Sequence, residues 1–124
     1  MPKKILLVDD EEDIIETLTK RLRSRGYDVS AAANGREALE SIRRDRPDLI
    51  ILDMMMPVMD GRQLSQVLRQ NSSTGSIPII YLTALQKKED EVSCGNSIAG
   101  QIIFAKPFDA YFLLSQVENL LTRP

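Results

Sequence analysis

The feature that most constrains the fold is a short apolar run that recurs along the chain between polar or turn-forming segments. The five runs are Ile5-Leu-Leu-Val8, Asp28-Val-Ser-Ala-Ala32, Leu49-Ile-Ile-Leu52, Ile77-Pro-Ile-Ile-Tyr-Leu82 and Ile102-Ile-Phe-Ala105. Four of them are continuously apolar instead of alternating, as strands are when helices cover both faces of a parallel sheet. The second run is weaker.

Helical patterns fill the spaces between the runs. Ile14, Leu18 and Leu22 recur every four residues as a core stripe, and Gly26 follows as a stop. Asn34 is suited to cap a second helix carrying Ala38, Leu39 and Ile42, with Pro47 marking its end. Leu64, Val67 and Leu68 form a third stripe, closed by Asn71-Ser-Ser-Thr-Gly75. A last helix after Pro107 carries Leu113, Val117, Leu120 and Leu121. The fourth helix is the poorest. Residues 87–92 are polar and helix-favouring, but Cys94-Gly-Asn-Ser-Ile-Ala-Gly100 holds two glycines and several turn residues, which predicts a short helix and then an irregular loop.

Strand and helix alternating through short connections make an α/β chain, a (βα)5 unit. Right-handed crossovers wind it into a doubly wound three-layer sandwich with a parallel five-stranded sheet. The expected strand order is 2-1-3-4-5, with its switch point between strands 1 and 3, where ligands of open α/β sheets bind beyond the carboxyl ends. At 124 residues, 43% hydrophobic and 27% charged, residues 1–124 are expected to form one domain.

Composition removes several function classes. Sixteen basic residues against 18 acidic ones give a formal charge of -2, which offers nucleic acid no basic footprint. The single cysteine, Cys94, has no internal disulfide partner. The absence of histidine excludes a Ser-His-Asp or Cys-His triad, the usual structural zinc sites and a phosphohistidine within the chain. The apolar run near the N-terminus is too short for a signal peptide, and no run approaches the ~20 residues that span a bilayer. The expected compartment is the cytoplasm.

The chemistry lies at the strand ends. The first run leads into Asp9-Asp10-Glu11-Glu12-Asp13, and the third ends in Asp53. In the expected order Asp9, Asp10 and Asp53 converge, and three crowded carboxylates must take up protons or bind a cation, for which Mg²⁺ or Mn²⁺ is best suited. Asp9 and Asp10 are also what the N-terminus of a helix attracts, so capping alone is a competing reading. Thr83 ends the fourth run and Lys106 follows the fifth. Alone, each reads as a capping hydroxyl and a surface lysine. Together with the three acids they make a set suited to phosphoryl transfer onto a carboxylate.

At these residues the sequence resembles the CheY-like receiver domain of two-component response regulators. The matching segments are Ile5-Leu-Leu-Val-Asp-Asp-Glu11, Pro47-Asp-Leu-Ile-Ile-Leu-Asp-Met-Met-Met-Pro57, Met59-Asp-Gly61, Pro78-Ile-Ile-Tyr-Leu-Thr-Ala84 and Lys106-Pro-Phe108. They span almost the whole chain. The resemblance implies that Asp53 is the phosphoacceptor. Asp10, Asp53 and the Met55 carbonyl would form the Mg²⁺ shell, and Asp9 would hold a metal-bound water. Thr83 would be the switching hydroxyl and Lys106 the phosphoryl-binding cation, preceding what is usually a cis proline bond. Pro57 and Asp60-Gly61 would shape the loop into the third helix. The implied donor is a sensor histidine kinase or a phosphotransfer protein, and the implied self-partner is a second copy meeting the face of helix 4, strand 5 and helix 5. No catalysis is implied beyond the domain's own phosphorylation and dephosphorylation.

The sequence departs from the family pattern in three respects. Ile103 stands where the family usually has Tyr or Phe, so an inward-turning ring cannot report on Thr83. Gly95-Asn-Ser-Ile-Ala-Gly-Gln101 replaces the usual approach to the last strand. Met55 and Leu85, at positions that modulate phosphoryl lifetime, are both apolar, which predicts slow self-hydrolysis. A phosphorylation-independent interaction module is the competing class, motivated by Ile103 and the unusual fourth helix. A dehalogenase-like phosphatase is disfavoured because Asp9 and Asp53 are followed two places on by Glu11 and Met55, not by aspartate. A flavin or nucleotide binder is disfavoured because five successive acids after the first strand repel phosphate. Only Thr122-Arg-Pro124 follows the last helix, so any output is expected to lie outside these residues.

Overall fold

A computed structural model describes residues 2–56, 59, 61–83, 96–98 and 101–122. The elements are β1 (Lys4–Val8), α1 (Glu12–Ser24), β2 (Asp28–Ala32), α2 (Gly35–Arg44), β3 (Leu49–Asp53), α3 (Gly61–Gln70), β4 (Ile79–Thr83), β5 (Asn96–Ile98), β6 (Gln101–Ala105) and α4 (Ala110–Thr122). The sheet order is β2-β1-β3-β4-β6-β5. Pairing is parallel from β2 through β6, so the expected 2-1-3-4-5 sheet is present, with β6 as its fifth parallel strand.

The sixth strand corrects the sequence expectation. Residues 96–98, within the stretch expected as an irregular loop, pair antiparallel with β6 through Asn96↔Ile103, Ser97↔Ile102 and Ile98↔Gln101. Only Ala99 and Gly100 separate the two strands in sequence, the spacing of the tightest hairpins. The helix expected at 87–92 lies outside the described residues.

Alternate side chains of the central strands enter opposite layers, which explains why these strands are apolar throughout. Ile5, Leu7, Leu49, Ile51, Ile80, Leu82 and Phe104 pack with Leu18 and Leu22 of α1 and Leu113 and Val117 of α4. Leu6, Val8, Ile50, Leu52, Ile79, Tyr81 and Ile103 pack with Ala38 and Ile42 of α2 and Leu64 and Leu68 of α3. The weaker β2 is an outer strand whose Asp28, Ser30 and Ala31 are exposed. Val67, expected in the α3 stripe, instead lies on the exposed side of that helix.

Local signals set the helix ends. Gly26 has φ 91°, and the N–H groups of Gly26 and Tyr27 donate to the carbonyls of Arg23 and Leu22. This is a Schellman closure of α1, at a conformation where glycine carries no side-chain penalty. The Asn34 side chain accepts from the Glu37 N–H at 2.9 Å, while Glu37 accepts from the Ala33 N–H, so α2 is capped reciprocally. At α1 the capping position is Glu11, whose side chain makes no capping hydrogen bond.

Candidate phosphoacceptor site

Four strand ends build the site, and the sheet register brings them level. Val8 pairs with Leu52, Asp53 with Leu82, and Thr83 with Ala105, so the residues ending or following β1, β3, β4 and β6 meet at one edge. Backbone bonds extend the ladder into the site: the Asp9 N–H donates to the Ala32 carbonyl at 3.1 Å and the Lys106 N–H to the Thr83 carbonyl at 2.7 Å. The Lys106-Pro107 bond is cis, as the resemblance implies.

The side chains converge tightly. Asp9 and Asp53 are buried, Asp10 is exposed, and one ligand oxygen from each lies within 4.8 Å of the others. Asp53 Oδ1 accepts from the Met55 N–H at 2.9 Å, and Asp9 Oδ1 accepts from the Glu11 N–H at 2.9 Å. Both buried carboxylates are therefore held by main chain, with their second oxygens turned to Lys106. The Lys106 ammonium lies 2.9 Å from Asp9 Oδ2, 3.3 Å from Asp53 Oδ2 and 2.8 Å from Glu11 Oε1. Its side chain is only 10% exposed, so the surface-lysine reading of the sequence is wrong. Thr83 is also buried, at the end of β4. The Met55 side chain is exposed.

Burial and like charge set the electrostatics. Desolvation raises the Asp53 pKa, the Asp9 charge adds to that, and the Met55 N–H and Lys106 oppose it. For Lys106 burial acts against the charged form, but the close contacts with Glu11 and Asp9 and the charges of Asp9 and Asp53 outweigh it, so its pKa is raised. The ammonium faces three carboxylates, Asp9, Glu11 and Asp53, and Asp10 adds a fourth beside Asp9 and Asp53, so negative charge remains in excess. Asp9 Oδ2, fully buried, has no aligned hydrogen-bond donor. A hard cation with oxygen ligands would fit this donor set and relieve its repulsion.

Glu11 was not identified from sequence, and Gly61 was named there only as shaping the loop into the third helix. Glu11 reaches Lys106 across 95 residues of chain, and nothing in the acidic run distinguishes it from its neighbours. Gly61 matters through close approach. A Cβ there would stand 2.5 Å from the Asp53 carbonyl oxygen and 2.8 Å from Met54 Cα, so only glycine lets α3 begin against the end of β3. Pro57, Asp60 and Leu85 lie outside the described residues. Ile103 is buried on the layer covered by α2 and α3, where it packs as an aliphatic core residue.

A doubly wound sheet with an acidic triad and a lysine at its carboxyl edge places the chain among α/β domains whose site lies at the topological switch point. The model of the response regulator receiver domain matches residues 5–118. The chain is 40% identical over 123 residues to the alkaline phosphatase synthesis transcriptional regulatory protein PhoP of Bacillus subtilis, covering 99% of this chain and 50% of PhoP. It is 42% identical over 124 residues to the response regulator MprA of Mycolicibacterium vanbaalenii, covering 99% of this chain and 52% of MprA. The chemotaxis response regulator CheY4 of Vibrio cholerae superimposes with a TM-score of 0.82 at 33% identity, over 97% of this chain and 99% of CheY4. The chain belongs to the response regulator receiver family of two-component systems. It spans about half the length of the curated relatives it matches. Among the described residues no helix is long and apolar enough to cross a membrane.

Proposed function

We propose that residues 1–124 form one receiver domain that accepts a phosphoryl group on Asp53 from the phosphohistidine of a sensor histidine kinase or phosphotransfer protein. The convergence of Asp53, Asp9 and Asp10 around Lys106 carries this reading, because an attacking carboxylate and a cation for the phosphoryl oxygens then share one strand edge. An Asp53 oxygen forms the new P–O bond as the P–N bond of the donor breaks. The departing imidazole nitrogen keeps the electron pair and takes up a proton. Lys106 receives one phosphoryl oxygen and the Thr83 hydroxyl donates to another. Asp10, Asp53 and the Met55 carbonyl would hold Mg²⁺ or Mn²⁺, with Asp9 acting through a bound water. The metal, when bound, neutralises charge on the transferring group. The domain catalyses nothing else and works in the cytoplasm. The phosphorylated form controls a partner or a linked output, and PhoP, by its name a transcriptional regulator, shows one kind of output a relative carries.

The test is incubation with Mg²⁺ and acetyl phosphate followed by intact mass. The expected result is one added phosphoryl group, dependent on metal. Uptake without Mg²⁺, or no uptake, overturns the proposal. Because the Met55 side chain is apolar and exposed, it cannot orient an attacking water by hydrogen bonding. Once acetyl phosphate is removed the added mass should therefore decay slowly, and Met55→Asn should hasten that decay. Rapid loss that is unchanged in Met55→Asn contradicts this lifetime argument.

Metal alone should also stabilise the fold. At ten times its Kd, Mg²⁺ should add about 1.4 kcal/mol to the unfolding free energy, and Asp10→Asn should remove most of that gain. A denaturation midpoint indifferent to Mg²⁺ would remove the metal from this reading.

Ile103 favours a second reading, an interaction module that works without phosphorylation, because an aliphatic residue buried in the core provides no ring to swing. The same mass measurement separates the two readings.

A further inference from the structure

Glu11 is the member of the lysine's shell whose side chain is not also tied to a backbone N–H. The ammonium carries three N–H donors, and three carboxylate oxygens stand within 3.3 Å of it, from Asp9, Glu11 and Asp53. Glu11 and Asp53 accept hydrogen bonds from it and Asp9 Oδ2 crowds it as an ion pair, so an arriving oxyanion competes with these carboxylates for the ammonium. Asp9 and Asp53 are 1% and 3% exposed, and each is tied by its other oxygen to a backbone N–H. Asp9 cannot leave without stranding a buried charge, and Asp53 has to stay in place to carry the phosphoryl group. The Glu11 side chain is 56% exposed, makes no capping bond for α1, and borders an open cleft with Ile14, Pro107 and Phe108. It can turn into water at little cost.

We propose that Glu11 is a positioning residue that holds the Lys106 ammonium in the unphosphorylated domain and gives up this contact when a phosphoryl group arrives. The inference rests on the phosphoacceptor reading of Asp53. It assigns Glu11 a role opposed to occupancy: the carboxylate competes with the phosphoryl oxygens for one donor, so its removal favours the occupied state. An exposed ion pair sets the size of the effect, roughly two- to five-fold in affinity.

Calorimetric titration with beryllofluoride in excess Mg²⁺ tests this on the wild-type chain, Glu11→Gln, Glu11→Asp and Glu12→Gln. Aspartate keeps the charge but is one methylene too short to keep the 2.8 Å contact. Glu12→Gln removes a neighbouring charge that has no contact with Lys106. The expected result is tighter beryllofluoride binding by about two- to five-fold in both Glu11 variants, with Glu12→Gln close to wild type. The ¹⁵N resonance of the Lys106 ammonium should also move in both Glu11 variants before any ligand is added. Tightening in Glu11→Gln and Glu12→Gln but not in Glu11→Asp would mean general charge relief and overturns the proposal. Equal affinity across all four chains also overturns it, while leaving the phosphoacceptor reading intact. A wild-type chain that binds no beryllofluoride overturns both.

Discussion

Asp53→Asn should take up no phosphoryl group from acetyl phosphate under conditions that label the wild-type chain, and its mass should be unchanged. The substitution is nearly isosteric, and the amide oxygen can still accept the Met55 N–H that fixes this side chain at 2.9 Å. The end of β3, paired to Leu82 of β4, should therefore keep its place. What is lost is the nucleophile: an amide oxygen is too weak a base to attack phosphorus, and its NH₂ group confronts the Lys106 ammonium with a donor. Because catalysis requires the nucleophile itself, the expected loss is total, whereas Thr83→Ala and Asp10→Asn should slow uptake and leave it measurable. Mg²⁺ stabilisation should shrink as well, since the triad loses one charged ligand. Labelling of Asp53→Asn at the wild-type rate would place the acceptor elsewhere and remove the central claim.

How much of this could be read from the amino acids depends on whether the deciding contact is local. Asp9, Asp53, Thr83 and Lys106 were legible because continuous apolar runs mark strand ends, and parallel topology then forces those ends together. The cap at Asn34 and the stop at Gly26 were legible because each is a backbone solution within a few residues. Glu11 was not, because its partner lies at the far end of the chain and its neighbours are equally acidic. Gly61 read as shaping the loop into the third helix, but its close approach to the Asp53 carbonyl was hidden because that contact is set by how α3 packs on β3. β5 escaped because three residues of mixed character carry no alternation, and its place is set by pairing with β6. Val67 shows the opposite error, an apolar residue on a helix whose buried stripe needs only Leu64 and Leu68.

Phe104→Ala should cause the largest loss of stability among the changes considered, about 3–5 kcal/mol, the range for truncating a buried aromatic ring. Phe104 is fully buried in β6, opposite Leu82 of β4, within the layer closed by α1 and α4. Its ring meets Phe108 and Phe112 edge-on, at centroid distances of 6.4 and 5.6 Å. Truncation therefore removes transfer free energy and two aromatic contacts, and it leaves a void that three neighbouring elements would have to move to fill. For a domain whose total stability is on the order of 5–15 kcal/mol, that is a large fraction. Phe112→Ala removes the same number of atoms from a side chain that is 39% exposed, and it should cost markedly less. Urea unfolding should show both differences as shifts in midpoint at constant slope. The ring packs in the layer under α1 and α4, two residues before Lys106 on the strand that presents the ammonium. Phosphoryl uptake at Asp53 should therefore persist in the folded fraction of Phe104→Ala at low denaturant, separating support of the fold from the chemistry at its edge. A cost below about 1 kcal/mol would mean that the aromatic layer under α4 is not close-packed. Lys106 would then owe its position to the ladder bond between its own N–H and Thr83 alone.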